Sequence, residues 1–124
     1  MPHLAIDTTA EIDAADQERC IEALTALYTS EMETTAGHVA VTIRQHPVSA
    51  MDIGRSVAGP LAFLDADIRR GRSHEMRRAF ALATIDWLAD EWAIPRPNTK
   101  VVFTEHAGNQ LMGADRVGGE WDGD

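Results

Sequence analysis

Apolar and polar positions follow two rhythms along this chain. Residues 3–8 (HLAIDT) read as a short strand, and helical spacing takes over from about residue 14 to residue 32. Ile21, Leu24, Leu27 and Tyr28 mark the apolar face of that predicted helix, with Asp13 as its candidate N-cap. The β-branched run HVAVTIRQ (38–45) predicts a second strand. Residues 46–59 hold one proline and two glycines without a sustained period, and read as a connecting loop. LAFLDADIR (61–69) predicts a third strand. A second helix over 73–92 carries Phe80, Ala81, Thr84, Ile85 and Leu88 on one face, and Ser73 with Met76 gives it half a capping box. Pro95 and Pro97 stop it, and KVVFTE (100–105) predicts the fourth strand. The tail from Ala107 is acidic and glycine-rich, with Leu111, Met112 and Val117 as its expected anchors.

The pattern repeats. QERCIEAL (17–24) lies over EMRRAFAL (75–82) at an offset of 58, which also lays Pro2 over Pro60 and Asp7 over Asp65. After a two-residue slip, VTIRQH (41–46) lies over VVFTEH (101–106). The chain therefore reads as two tandem βαβ units, about 2–46 and 60–106, with the tail 107–124, all within a single domain 1–124. Each parallel crossover places its helix on one side of the sheet. The expected fold class is α+β, a four-stranded mixed sheet with two helices on one face. The other face, holding Leu and Phe positions, is left to a partner copy. A ferredoxin-like βαββαβ ligand-binding domain shares this coarse order, but the 14-residue connection between the units is long for its usual tight hairpin.

Charge and composition narrow the function. A formal net charge of -9 over 124 residues speaks against a nucleic-acid partner. No stretch approaches the roughly 20 apolar residues of a membrane span, and no leader pattern opens the sequence, so a membrane is not an expected partner. The one cysteine, Cys20, has no internal partner, which fits a reducing cytoplasm. The five histidines lack close i, i+4 pairing, and neither a metal nor a cofactor is expected. Against the acidic background, Arg69, Arg70, Arg72, Arg77 and Arg78 crowd into ten positions. Arg77 and Arg78 read as a solvated helix face. Arg72, between Gly71 and the helix start, sits where backbone N–H groups already favour an anion.

Three stretches carry a resemblance to a known family: Met1-Pro2 leading into a strand, GRSHEMRRAF (71–80) opening the second helix, and VVFTEHAGNQLMG (101–113) closing the second unit. Together with the duplicated βαβ pattern, the chain resembles the tautomerase superfamily, which includes oxalocrotonate tautomerase, macrophage migration inhibitory factor and cis-3-chloroacrylic acid dehalogenase. Its IRRGRS turn (68–73) looks most like the dehalogenase branch. The resemblance implies a homotrimer and an amino-terminal proline, Pro2, freed by removal of Met1 and acting as general acid and base. Burial lowers the pKa of such an amine below its usual 7.7–8.0 and makes it a base near neutral pH.

The resemblance further implies that Arg72 and Arg69 bind a carboxylate, with Arg70 as a substitute for Arg69 because a related decarboxylase branch uses arginines two apart. Tyr28 is a candidate donor to an enol or carbonyl oxygen, Leu111 and Met112 a candidate apolar wall, and Lys100 a weaker polarising candidate. The first unit has Ala14 where the second has Arg72, so one anion site per chain is expected. The chain departs from the dehalogenase pattern at Tyr28, Val102 and Gly113, where that branch has histidine, tyrosine and a water-activating glutamate; Asp115 is the nearest replacement carboxylate. The decarboxylase's aspartate falls on Gly37. The implied activity is cofactor-independent keto–enol tautomerisation of small 2-oxo or enol carboxylic acids. The alternatives are haloacrylate dehalogenation or hydration, a malonate semialdehyde decarboxylase-like reaction, and a non-catalytic binding protein on the same scaffold.

Overall fold

The computed structural model of the chain describes residues 2–121. The first unit comprises strand β1 (His3–Thr8), helix α1 (Ala14–Met32) and strand β2 (Ala40–Gln45). The second comprises β3 (Ala62–Arg69), α2 (His74–Trp92) and β4 (Thr99–His106). Short 3-10 turns at Ala36–His38 and Arg96–Asn98 lead from each helix into the strand that follows. The tail folds back as a small hairpin of β5 (Met112–Gly113) and β6 (Arg116–Val117).

The sheet order is β2-β1-β3-β4, with β1 and β2 parallel, β3 and β4 parallel, and β1 and β3 antiparallel at its centre. The α+β class, the tandem units and the mixed four-stranded sheet are as the sequence predicts. The ferredoxin-like alternative is excluded, because that fold splits each βαβ unit with an intervening strand, whereas here β1 bonds directly to β2.

Local chemistry explains the elements. Asp13 caps α1 in a full capping box with Asp16, and the Ser73 side chain accepts the Met76 N–H at the start of α2. Both helices end on a left-handed residue, Glu33 (φ 52°) and Ala93 (φ 54°), so α2 stops before Pro95 is reached. The core lies between helices and sheet: Leu4, Ile6, Leu64, Ala66 and Ile68 from the strands meet Cys20, Leu24, Tyr28, Phe80 and Leu88. Tyr28 and Phe80 pack edge to face, 5.2 Å between ring centroids. Ile21, expected on the buried face, is exposed, because the inward stripe of α1 runs through Cys20, Leu24, Tyr28 and Met32. Burial pushes the Cys20 thiol up to about 12.

Two expectations need correction. The repeat offset is sixty throughout, not fifty-eight with a slip. Helix starts (Ala14, His74), caps (Asp13, Ser73), helix ends (Met32, Trp92) and the buried quartets Cys20, Leu24, Tyr28, Met32 and Phe80, Thr84, Leu88, Trp92 all correspond at that spacing. Equivalent core positions differ in residue type, so letter identity alone aligned the wrong pairs. Pro2 therefore corresponds to Ala62, and Arg72 to Ile12 rather than Ala14. The sheet's open face is also more polar than expected. Every strand leucine turns toward the helices, and the open face carries Phe63 and Val102 among charged ladders. There Arg44 grips Asp7 at 2.9 and 3.0 Å, His46 Nε2 lies 2.7 Å from Asp7, and His106 Nε2 lies 2.9 Å from Asp67.

Candidate active site

Four segments meet at one end of the sheet. Pro2 is buried just ahead of β1, and its carbonyl accepts the Ala40 N–H at 3.0 Å, which ties the start of the chain to β2. From α1 comes Tyr28, from the edge of β3 Arg69, and from the turn before α2 Arg72. The tail crosses over them. These residues enclose a cavity of about 210 Å³ together with Thr34, Thr35, His38, Leu111, Met112, Gly113, Arg116 and Gly118. Pro2, Tyr28, Arg69, Arg72, Leu111 and Met112 thus share one pocket. Arg70 does not line it: it points outward and pairs with Glu120 at 3.0 and 3.3 Å.

Arg72 is 5% exposed, which is rare for a guanidinium and needs compensation. Its Nε donates to the Met32 carbonyl at 2.7 Å, at the end of α1 where helix carbonyls lack internal partners and the dipole favours a cation. Its Cζ lies 4.9 Å from the Trp121 ring centroid and 5.8 Å from that of Tyr28. Its terminal nitrogens donate no hydrogen bond among the described residues. The main chain around it is fixed in turn, because Arg77 donates to the Arg72 carbonyl at 2.8 Å and pairs with Glu105 at 3.3 Å. Arg77 is thus a bracing residue rather than part of a solvated face.

The Tyr28 hydroxyl is buried without a hydrogen-bond partner among the described residues, and so is Trp121 Nε1. A buried, unpaired hydroxyl is costly unless a ligand completes it. Burial raises the Tyr28 pKa, partly opposed by the charges of Arg72 and Arg69, so the group is a neutral donor. His38, Arg69, Arg72 and Arg116 line the cavity, and no Asp or Glu does so among the described residues. Asp115 stays off the wall, its Oδ1 3.4 Å from where a side chain at Gly113 would begin. Lys100 and Val102 lie exposed on the open sheet face, and neither lines the cavity.

The tail is held differently from expectation. Leu111 is half-buried as expected, but Met112 and Val117 are exposed, and the tail is held instead through Gly108, Gly119, Glu120 and Trp121. Glu120 accepts the buried Gly108 N–H at 3.0 Å, and this bond and Arg70 hold its carboxyl below the usual carboxylate range. Arg69 donates to the Gly119 carbonyl at 2.7 Å. A side chain at Gly108 would collide with the Gly119 carbonyl, which explains the glycine there. Gly71 sits at φ +121° with Trp121 packed over it, another position that favours glycine. Sequence reasoning missed His38, Arg116 and Trp121. His38 opens the β-branched run 38–45 in the sequence but belongs to the preceding turn, and the other two lie in a tail whose fold-back has no periodic signature.

A second cavity of about 460 Å³ occupies the opposite end, lined by Thr9, Ala10, Glu11, Ile12, Asp16, Glu91 and Trp92 among others. At the sixty-residue spacing, Thr9, Ala10 and Ile12 stand where Arg69, Arg70 and Arg72 stand in the second unit. The duplication kept the hollow and the arginines occur in one copy only.

No protein-family model and no curated protein matches the chain. Solved structures do. A member of the cis-3-chloroacrylic acid dehalogenase family superposes with a TM-score of 0.84 over 95% of this chain and 84% of its own, at 20% identity. A fused 4-OT solved as a symmetric trimer gives a TM-score of 0.82 over 94% of each chain at 15% identity. Malonate semialdehyde decarboxylase gives 0.77 over 91% of this chain and 92% of its own at 18% identity. The chain has the fold of the tautomerase superfamily. Its likeness extends alike to the dehalogenase-family, fused 4-OT and decarboxylase structures, and the resemblance read from the sequence holds at the level of the fold.

Proposed function

We propose that this chain is a cofactor-independent tautomerase that interconverts enol and keto forms of small 2-oxo carboxylic acids, with Pro2 as its acid–base group. The observation that carries the reading is the composition of one cavity: a buried Pro2, three arginines, a buried hydroxyl and, among the described residues, neither a partner for that hydroxyl nor a carboxylate on the wall. Such a wall attracts an anion and leaves proton transfer to an amine. The substrate carboxylate docks on the outward nitrogens of Arg72, assisted by Arg69, and planar guanidinium suits it in a two-point grip. Tyr28 donates to the enol or carbonyl oxygen. Pro2, with Met1 removed, takes the hydroxyl proton and returns one to carbon, beside the apolar wall of Leu111 and Met112.

The dehalogenase and decarboxylase likenesses support a second reading, in which a protonated Pro2 acts as acid on a three-carbon acid. That reaction needs a group to activate water, which the glutamate missing at Gly113 would have supplied. The open sheet face, with Phe63 and Val102, supports assembly, and a trimer is the form taken by the fused 4-OT structure. We take residues 1–124 as one domain working as a homotrimer on a small carboxylate, without nucleic acid or membrane, in the cytoplasm. Among the described residues no helix is long and apolar enough to cross a membrane.

The test is Pro2→Ala, assayed by ketonisation of phenylenolpyruvate with intact mass to confirm loss of Met1. Turnover should fall by roughly 10²–10⁴-fold, the usual worth of general acid–base catalysis. More than half the wild-type rate, or a retained Met1 that makes Pro2 an amide, would return the chain to the binding-protein reading. Size in solution should correspond to three chains.

A further inference from the structure

Four of the five histidines divide into two groups, and the fifth, His74, opens α2. His3, His46 and His106 lie on the open sheet face, engaged with Thr42, Asp7 and Asp67. His38 lines the cavity that holds Pro2. Its position follows from the backbone. The turn Ala36–His38 ends one residue before β2, and Ala40 both pairs with His3 and bonds to the Pro2 carbonyl. The imidazole thus enters the site beside the start of β1.

We propose that His38 is a second proton-transfer group of this site, taking the substrate's hydroxyl proton while Pro2 delivers a proton to carbon. The proposal rests on the reading of Pro2 as the acid–base amine, and it divides between two residues a task otherwise given to one. In the ketonising direction the enol O–H bond breaks, with its proton going to the imidazole. The oxygen electron pair closes the carbonyl, and the former C=C pair takes the proton carried by the Pro2 ammonium. Imidazolium and neutral amine remain, and solvent resets both. No oxidant, metal or further reactant enters.

The surroundings suit an imidazole that begins neutral. Facing it across the cavity are Pro2 before β1, Tyr28 on α1, Arg69 on β3, Arg72 before α2 and Arg116 on β6. Desolvation, then the charges of Arg116 and Arg69, lower its pKa from the ordinary value. No carboxylate on the cavity wall raises it among the described residues. A neutral ring in a cationic pocket is a base that an anionic substrate can approach, and the enol proton is then drawn from a substrate already held by the arginines.

The two assignments predict different pH profiles for kcat/KM on phenylenolpyruvate. With one base, the ascending limb belongs to the Pro2 amine. With two groups, the profile is a bell whose ascending limb is His38, below pH 6.5, and whose descending limb is the Pro2 ammonium. His38→Gln should lower kcat by about 10²-fold, the lower part of the acid–base range, and abolish the ascending limb. Added imidazole should restore activity to His38→Ala. His38→Gln with an unchanged ascending limb and more than half the activity overturns the proposal. If Pro2→Ala is inactive in the same series, the tautomerase reading stands without it; if Pro2→Ala is active, the underlying reading fails. A readout without turnover is histidine-ring NMR with oxalate, a mimic of an enolate acid. The His38 signals should move and those of His74 should not, and a stationary His38 overturns the proposal.

Discussion

Replacing Arg72 by lysine keeps the charge and removes the fork, so it asks whether the geometry around that guanidinium matters. In the native chain Nε is committed to the Met32 carbonyl, and the proposed function gives the outward nitrogens to substrate. An ammonium cannot hold both. A charge-assisted hydrogen bond is worth about 1.5–3 kcal/mol. Losing the substrate's share should therefore lower kcat/KM by about 10- to 10²-fold, at about 1.4 kcal/mol per factor of ten. The helix end also loses its cap, and the ring faces of Tyr28 and Trp121 lose a flat cation. We assign that loss about 2–3 kcal/mol of stability. At about 2.1 cal/mol/K per residue the 124-residue chain has an unfolding entropy of about 0.26 kcal/mol/K, so the melting temperature should drop by roughly 8–12 °C. Steady-state ketonisation and a thermal melt at fixed protein concentration measure both, with Arg70→Lys as control. Arg70 faces outward to Glu120, and its exchange should change kcat/KM by less than about threefold. Equal effects of the two exchanges on kcat/KM, or an unchanged melt for Arg72→Lys, would refute the reasoning.

Asn98 is fully buried, accepts the Val57 N–H at 2.7 Å and donates to the carbonyls of Val57 and Pro60 at 2.9 and 3.1 Å. Asn98→Ala should cost about 2–4 kcal/mol and lower the melting temperature by about 8–15 °C, with kcat little changed. Because the folded-state pKa of Glu120 is depressed, its grip on the tail is complete above the ordinary carboxylate value near 4.5 and is lost as pH falls through the lowered value. Tryptophan fluorescence should report release of Trp121 in that acid window, and Glu120→Gln should show the released signal at neutral pH. Turnover of cis-3-chloroacrylate should be at least about 10²-fold slower than ketonisation, because no carboxylate among the described residues lines the cavity to activate water; comparable kcat/KM on both would give the site to the hydratase reading.

The elements were legible in the sequence because their signals are local. Asp13 and Ser73 announced their helices by capping chemistry, and the β-branched runs announced strands. The register between the two units was not legible, since Cys20 against Phe80 and Leu24 against Thr84 are equivalent by burial and unlike by letter. Six site candidates converged because the IRRGRS turn and the leading proline are short motifs on rigid elements. Arg70 was misjudged for the opposite reason: adjacent residues at the end of a strand point to opposite sides, and only the fold-back of the tail shows that Glu120 claims it. Arg116, Trp121 and His38 come from a non-periodic tail and a single 3-10 turn, where side-chain direction is set by tertiary bonds such as those to Gly108 and Pro2.

Cys20 gives this molecule a built-in clock. It is the chain's single thiol, fully enclosed between α1 and the sheet, and its pKa of about 12 leaves almost no thiolate at neutral pH. An alkylating reagent can therefore reach it only when α1 lifts from the sheet, so the labelling rate counts those openings. Tyr28 lies on the same helix stripe as Cys20, which means that a ligand gripping the Tyr28 hydroxyl should slow the clock.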